Sequence, residues 1–151
     1  MACSAVRLKS KETIQLMIQN KNQEIMILLK KKQNHVEQIY SYTLDMEKSA
    51  SQNDSDTLSM LLDMRYKIMT EIESLDEEIS EKIQSLSDSD RIRVRAQMSE
   101  NPISSVISFE EGMINEIWLS TRILLGKIIE SDEKLKLKIK ALSKLSSIDS
   151  V

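Results

Sequence analysis

The feature that most constrains the fold is a long helical repeat of apolar residues between Asp54 and Leu86. Over this stretch Leu, Ile and Met recur at steps of three and four, no Gly or Pro occurs, and only Arg65 and Asp76 interrupt the apolar positions. This spacing predicts one long amphipathic helix. Because its apolar stripe lines only one side, the helix must pack along another element of similar length.

Turn-forming residues are scarce in the rest of the chain as well. The 151 residues include two Gly (Gly112 and Gly126) and one Pro (Pro102). β-Sheets need many tight turns, which Gly and Pro normally build. The composition therefore predicts an all-α fold, and the length is that of one ordinary domain with a buried core.

Two helices are predicted to form a long antiparallel hairpin. Apolar residues at helical spacing predict a first helix over about 13–50, and a short polar turn separates it from a second helix over about 54–87. Asn53 or Asp54 is suited to cap the second helix. The short connection makes the two helices antiparallel neighbours. Residues 1–12 are small and polar, and we expect a flexible N-terminal extension there.

A third long amphipathic helix is predicted after the hairpin, with two alternative starts. Asn101-Pro102 favours a start near 102, whereas Ser108-Phe109-Glu110-Glu111 has the spacing of a capping box. The apolar pattern then continues to about 146. Together the three helices predict a coiled-coil-like bundle, in a single helical domain over 13–148.

Two segments with alternating polar and apolar residues fit more than one structure. In residues 91–95 Arg alternates with Ile and Val, which fits a short strand-like run, a helical turn or a mobile connector. In residues 134–142 Lys alternates with Leu and Ile, which by pattern alone also fits a strand. As a helix, the second segment has Leu135, Ile139 and Leu142 on one side and Leu137 on another.

The composition argues against an oxidising compartment, a membrane span and a nucleic-acid partner. Cys3 is the only cysteine, so no intrachain disulfide can form, and we expect a cytoplasmic protein. No run of about eighteen uncharged apolar residues exists to insert into a membrane. Residues 45–90 carry four basic and thirteen acidic side chains, a balance that opposes phosphate binding.

No residue pattern indicates catalysis, a metal site or a cofactor site. His35 is the only histidine and has no Cys or carboxylate at ligand spacing, so we expect a structural or solvated side chain. The acidic residues of Glu71–Glu81 match neither an EF-hand loop nor Glu-x-x-His pairs, and a charged helix face explains them. We therefore expect neither enzyme activity nor a bound cofactor or metal.

The two interruptions of the second helix have an ordinary explanation. Arg65 and Asp76 are both expected at the edge of the apolar stripe, with their charged groups in water. For Arg65 this means that the stem lies along apolar neighbours. We favour this arrangement over a specific buried ion pair, which would require both charges to leave water.

The third helix carries more apolar surface than one hairpin groove can bury. The residues between Met113 and Ile129 that cover its circumference are Met113, Ile114, Ile117, Trp118, Leu119, Ile123, Leu124, Leu125, Ile128 and Ile129. The basic segment that follows is suited to bind, or to help form, a groove for a partner helix. A bundle helix with solvated lysines is the alternative, and a membrane-surface helix is disfavoured by flanking acids.

The stretch Leu28–Ile83 resembles the flagellar export chaperones of the FlgN type, particularly the divergent clostridial kind. The resemblance covers residues 14–86 well and the third helix only in general character. It lies in the order of a Thr in the first long helix, an Asp in the polar turn, a Leu-rich start, a basic residue and a Leu-Asp-Glu run, which here are Thr43, Asp54 or Asp56, Leu58, Leu61, Leu62, Arg65, Ile72, Leu75, Asp76 and Glu77.

The resemblance implies a small cytoplasmic protein that binds the C-terminal helical segments of hook-filament junction proteins. It would prevent their premature assembly and deliver them to the export gate of the flagellar type III machinery. The family's usual substrate-binding element is its C-terminal amphipathic helix, here from about Ile128 to Leu145. The residues expected to contact the cargo are Ile128, Leu135, Leu137, Ile139, Leu142 and Leu145.

A different class of function stays open beside this one. A structural coiled-coil or adaptor subunit could assemble permanently with itself or with a cytoskeletal or SNARE-like partner. The chain also departs from the FlgN type in its polar N-terminal extension and in its regular alternation of Lys and Leu. Formation of a homo-oligomer, and contact of Arg91–Arg95 with the export gate, are both left open.

Overall fold

Four helices make up the described part of this chain. The computed structural model describes residues 2–101 and 108–149, with side chains at 11–13, 21–101 and 108–144. No strand occurs in these ranges, which confirms the all-α prediction. The helices are α1 (Ala2–Ser51), α2 (Ser55–Gln84), α3 (Asp88–Gln97) and α4 (Phe109–Asp149).

The helix boundaries differ from the predicted ones at the start of the chain. α1 begins at Ala2 rather than near Thr13. Residues 2–12 contain no Gly or Pro, so nothing in the sequence interrupts the helix there. The flexibility predicted for residues 1–12 stays a prediction.

Segment 91–95 belongs to α3 and is helical. Ser87 caps this helix, because its hydroxyl oxygen accepts from the Asp90 backbone N–H at 3.4 Å. Asp88 and Asp90 in the first turn and Arg95 in the last complement the helix dipole. A capped start and these end charges therefore outweigh the local alternation that also fitted a strand.

α4 begins at Phe109, next to the predicted capping box. The Ser108 hydroxyl oxygen accepts from the Glu111 backbone N–H at 3.3 Å, as such a box requires. The other predicted start, at Pro102, lies outside the described residues. The alternating segment 134–142 is helical throughout.

The turn between α1 and α2 is stabilised by its own polar groups. Asn53 has a φ of 55°, a left-handed conformation that Asn tolerates, and the Asp54 backbone N–H donates to the Ser49 carbonyl at 2.9 Å. The Asp54 carboxylate accepts from the Thr57 backbone N–H at 3.1 Å and from the Thr57 hydroxyl at 2.6 Å. Asp54 is thus the cap of α2, one of the two residues predicted for that role.

The chain divides into two compact units, to which α1, α2 and α4 all contribute residues. Unit 1 comprises Met1–Lys31 and Leu75–Leu119, and unit 2 comprises Lys32–Ser74 and Ser120–Val151. In unit 1 all four helices contribute to one apolar cluster. Its buried members are Ile25, Leu28, Leu29, Ile79, Ile83, Leu86, Val94, Ile114 and Ile117.

An ion pair joins α3 to α4 within unit 1. Arg93 donates from Nε and Nη2 to the two carboxylate oxygens of Glu111, at 3.1 and 3.0 Å. This fork geometry is the strong form of an Arg–carboxylate contact. The hydrogen bond with Glu111 raises the pKa of Arg93. The capping-box glutamate therefore bonds α3 with its side chain, while its backbone N–H is capped by Ser108.

Unit 2 has two apolar clusters, and α4 contributes to both. One contains Val36, Ile39 and Ile128. The other contains Met46, Ala50, Leu58, Leu61 and Leu135. In unit 2 α1 and α2 form the antiparallel hairpin that the short turn dictates, and α4 packs against it as the third long helix.

Replacing Asp54 by Asn should flatten the acid dependence of stability. Hydrogen bonds from Thr57 lower the pKa of Asp54 from its ordinary 3.8. The stabilisation is therefore fully present above that value and is lost as the pH falls through the lowered folded-state pKa. Asn keeps a capping oxygen but does not titrate.

We expect urea unfolding followed by circular dichroism to show a smaller loss of unfolding free energy between about pH 5 and pH 2 in Asp54→Asn than in the parent chain. Asp63→Asn, at an exposed position of α2, is the matched control. Parallel pH curves for Asp54→Asn and the parent would contradict the prediction.

Candidate partner-binding surface

Between Ser120 and Lys144, α4 exposes more large apolar side chains than it buries. Only two of its large apolar residues are fully buried there, Ile128 and Leu135, and the other buried positions are Thr121 and Ser131. The large apolar residues exposed on the same stretch are Ile123, Leu125, Ile129, Leu137 and Ile139. Packing within unit 2 therefore leaves much of this helix's apolar surface uncovered.

Three of the six residues predicted to bind a partner face the hairpin instead. Ile128 is 8% exposed and packs with Val36 and Ile39, and Leu135 is 4% exposed in the other cluster of unit 2. Leu142 is partly buried against that second cluster. These three residues are spaced by seven, so they recur on one face of the helix. Their apolar surface is already used within the chain.

Two of the predicted residues lie on the surface. Leu137 is 69% exposed and Ile139 is 38% exposed. Leu145 belongs to α4, but its side chain lies outside the described residues. The structure thus divides the predicted set into buried and exposed residues, and Leu137 and Ile139 lie on different sides of α4, so the six residues do not form one continuous surface.

The exposed surface includes residues that were not in the predicted set. Leu125 and Ile129 are one helical turn apart, and Ile129 is 64% exposed. Both had been counted in the apolar surplus of the third helix. The seven-residue spacing of Ile128, Leu135 and Leu142 is the sequence signal that could have predicted their exposure. A helix that buries this face must turn Ile129 away from it.

α2 has an exposed apolar face in unit 2 as well. Leu62, Tyr66 and Met69 are spaced at i, i+4 and i+7, so they lie along one side of the helix, and all three are exposed. The core of unit 2 instead receives Leu58 and Leu61. We refer to Leu62, Tyr66 and Met69 as the α2 stripe.

Lysines flank the exposed apolar residues near the end of α4. Lys136 pairs with Glu133 at 3.3 Å on the surface. Lys138 donates from Nζ to the Ser51 hydroxyl at 2.8 Å, at the last residue of α1, where a cation is favoured by the helix dipole. Leu137 and Ile139 therefore lie beside basic side chains, which favours a partner with acidic residues beside its apolar ones.

Contrary to the prediction, the charged group of Arg65 does not extend into water. Its Nη1 donates to Asp132 Oδ1 at 2.6 Å and to Thr43 Oγ1 at 3.1 Å, and its side chain is only 17% exposed. Thr43 in turn donates to the Ile39 carbonyl at 2.7 Å. The expectation was wrong because Asp132 lies 67 residues away in the sequence, on a helix whose position cannot be predicted from the apolar spacing of α2.

His35 lies in a polar surface environment of unit 2. Its Nε2 is 3.5 Å from a Glu71 carboxylate oxygen, and its Nδ1 is 3.4 Å from the Gln38 side-chain oxygen. Over the residues described, no group of three or more His, Cys, Asp or Glu side chains is arranged to hold a metal ion. Over the same residues, none of the helices has a segment long and apolar enough to cross a membrane.

Comparisons with models of protein families, with curated proteins and with solved structures gave no match to this chain.

The two neighbouring isoleucines of α4 should differ sharply in their effect on stability. Ile128→Ala empties a buried position and should lower the free energy of unfolding by about 2–4 kcal/mol. Ile129→Ala, at an exposed position, should change it by less than about 0.5 kcal/mol.

Chemical denaturation of both variants measures the difference, and each variant is the matched control for the other. Equal losses of unfolding free energy in the two variants would show that α4 packs through a different face.

Proposed function

We propose that this chain is a chaperone that binds an apolar helical segment of another protein along α4. The observation that carries the proposal is the exposure of five large apolar residues on a stretch that buries only two. Large apolar side chains exposed along one helix favour a site of interaction with another protein. A helix that presents one face to its own chain and another to solvent can receive a partner helix without unfolding.

The side chains available suit a partner that must later be released. Met60, Met64 and Met69 are exposed on α2, and methionine adapts to irregular apolar surfaces. The lysines beside Leu137 and Ile139 orient a partner that carries acidic side chains. Such a surface favours moderate affinity and some tolerance of sequence in the partner.

The resemblance to FlgN-type chaperones suggests which partner to test. On that basis the cargo is the C-terminal helical segment of a hook-filament junction protein, the chain acts in the cytoplasm, and the export gate of the flagellar type III machinery receives the cargo. No catalysis is part of this proposal. The exposed members of the predicted set, Leu137 and Ile139, remain in the proposed surface, and Leu125 and Ile129 join it.

Polar substitutions at exposed apolar positions of α4 should weaken cargo binding without unfolding the chain. The test variant is Leu125→Ser/Ile129→Ser/Leu137→Ser, measured by isothermal titration calorimetry with the C-terminal segments of hook-filament junction proteins. We expect at least about a tenfold weaker Kd, because each anchor contributes about 1 kcal/mol or more.

The matched control is Ile92→Ser/Phe109→Ser, which changes exposed apolar residues of unit 1. Unchanged affinity in the test variant, with a native circular dichroism spectrum, would show that these residues of α4 do not bind the cargo. Absence of binding by the parent chain would show that the hook-filament junction proteins are not its cargo.

The α2 stripe favours the second candidate, a structural or adaptor subunit that assembles permanently. Three exposed apolar residues at i, i+4 and i+7 are the pattern of a helix–helix contact. A permanent assembly should have a Tm that rises with protein concentration, and Leu62→Ser/Tyr66→Ser/Met69→Ser should abolish that dependence.

A chaperone without cargo should instead have a concentration-independent Tm. Its α4 amides should become more protected from hydrogen exchange only when cargo is added. A concentration-dependent Tm that is insensitive to the stripe variant would exclude the stripe as the contact.

A further inference from the structure

Within unit 2, α4 contacts α1 on one side and α2 on the other. Lys138 donates from Nζ to the Ser51 hydroxyl of α1, and Asp132 accepts from the Arg65 guanidinium of α2. Successive residues of an α-helix are about 100° apart around its axis. Counted from the buried Ile128, Lys138 lies about 80° to one side and Asp132 about 40° to the other.

Two exposed apolar residues of α4 lie on the side that is nearer α2. Leu125 and Ile129 stand about 60° and about 100° from Ile128, in the same direction as Asp132. Leu137 is on the far side of the helix, opposite Ile128. Leu125 and Ile129 therefore border the space beside α2, whereas Leu137 does not.

The α2 stripe lies on the side of α2 that is nearer α4. Glu71 approaches His35 of α1 at 3.5 Å, and Arg65 bonds both α1 and α4. Counted from Arg65, Glu71 is rotated by about 120° in one direction, and the three residues of the stripe by about 40–100° in the opposite direction. Since α1 lies on the side of Glu71, the stripe faces the space beside α4.

α2 and α4 run antiparallel in unit 2. Ile39 of α1 shares one apolar cluster with Ile128 of α4, and Met46 of α1 shares the other with Leu135 of α4. The order of these contacts makes α1 and α4 parallel. Because α1 and α2 form an antiparallel hairpin, α2 and α4 are antiparallel as well.

The exposed apolar residues of the two helices therefore lie at the same level. Arg65 is opposite Asp132, so Ile129, three residues before Asp132, lies at a level between Tyr66 and Met69. All of these apolar side chains are exposed. We refer to the space that they line as the α2–α4 groove, with Leu62, Tyr66 and Met69 on one side and Leu125 and Ile129 on the other.

The two ends of the α2–α4 groove carry opposite charges. Lys136 and Lys140 are exposed on α4 on the same side as Ile129, toward the end where Leu62 lies, and Lys136 also contacts Glu133. Glu73 is exposed on α2 one turn beyond Met69, at the other end. An apolar groove with one basic and one acidic end is complementary to a helix of the reverse polarity.

We infer that the α2–α4 groove binds a single amphipathic helix of another protein, with acidic residues toward Lys136 and Lys140 and basic residues toward Glu73. The apolar part of the groove extends over about ten residues of each helix, or about 15 Å, so the partner contributes about three turns. It would pack as the fourth helix of a bundle beside α2 and α4. The inference rests on the proposed function and adds α2 to the binding site.

The shape of the groove favours one helix over a second copy of the chain. A helix is convex and fits between two neighbouring helices, where it contacts both. A second copy presents a concave groove of the same form, and two concave surfaces meet at their rims and leave both floors uncovered. The α2 stripe and the exposed side of α4 are thus assigned to one site, rather than to separate contacts.

A synthetic amphipathic peptide of about 20 residues tests the groove without any assumed cargo. It carries Leu at i, i+4 and i+7 on one face, Glu near one end and Lys near the other, and a peptide of the same composition with dispersed leucines is its control. By fluorescence anisotropy, we expect the full chain to bind the first peptide at least about tenfold more tightly than the second. Equal affinities, or no binding of either peptide, would overturn the inference.

Substitutions on either side of the groove should weaken binding of this peptide. We expect at least about a tenfold weaker Kd in the stripe variant, Leu62→Ser/Tyr66→Ser/Met69→Ser, and likewise in Leu125→Ser/Ile129→Ser, because each removes the apolar contacts of one helix. Unchanged affinity in the stripe variant, with a native circular dichroism spectrum, overturns the inference.

Two further variants serve as controls. Ile92→Ser/Phe109→Ser changes exposed apolar residues of unit 1 and should bind the peptide as the parent chain does. Lys136→Glu/Lys140→Glu keeps every apolar residue and should weaken binding about fivefold through charge alone. It decides the question if a Ser variant does not fold, and unchanged affinity in it overturns the predicted polarity of the partner.

The outcomes separate this inference from the proposed function. If segments of hook-filament junction proteins bind the stripe variant as tightly as the parent chain, the groove is excluded while the chaperone function stands. If the peptide needs both helices but no junction segment binds, the groove stands and the proposed cargo is excluded. A concentration-dependent Tm of the free chain that both Ser variants abolish would show that a second copy occupies the groove, and would overturn the inference.

Discussion

The packing of α4 against the hairpin in unit 2 is the constraint on which the functional argument depends. A helix can turn only one face toward two neighbours, and here that face carries Ile128, Asp132 and Leu135. Once this face is chosen, the positions of all other α4 residues follow from the helical period. Ile129 is exposed because Ile128 is buried, so the surface proposed for a partner is a direct consequence of the packing inside the unit.

The buried face and the exposed face have different chemistry, and the difference separates their roles. The buried face combines apolar residues with the Arg65–Asp132 ion pair, which suits a permanent contact within the chain. The exposed residues are apolar side chains beside lysines, of which Lys136 contacts Glu133 on the surface. This second arrangement tolerates a range of partner sequences.

Much of the fold could be predicted from the sequence because its signals are local. The apolar period of α2, the scarcity of Gly and Pro and the capping groups of Asp54 and Ser108 each act within a few residues. The contact of Arg65 with Asp132 could not be predicted in this way, since a helical period shows which face is apolar but not which helix covers it. For the same reason Ile128 and Leu135 were assigned to a partner, although the hairpin of their own chain covers them.

The affinity expected of the exposed face follows from the size of two opposing effects. Full burial of a large aliphatic side chain contributes about 1.5–3 kcal/mol, and the side chains on α4 are already partly covered, so each gains less than this. Association costs about 4–15 kcal/mol in lost translational and rotational freedom. A few anchors such as Leu125, Ile129 and Leu137 therefore do little more than offset the cost of association, so the net affinity stays moderate even with the partner's other contacts. A contact of this kind forms when the partner is abundant and dissociates when a stronger site competes, which is the behaviour that a transport chaperone needs.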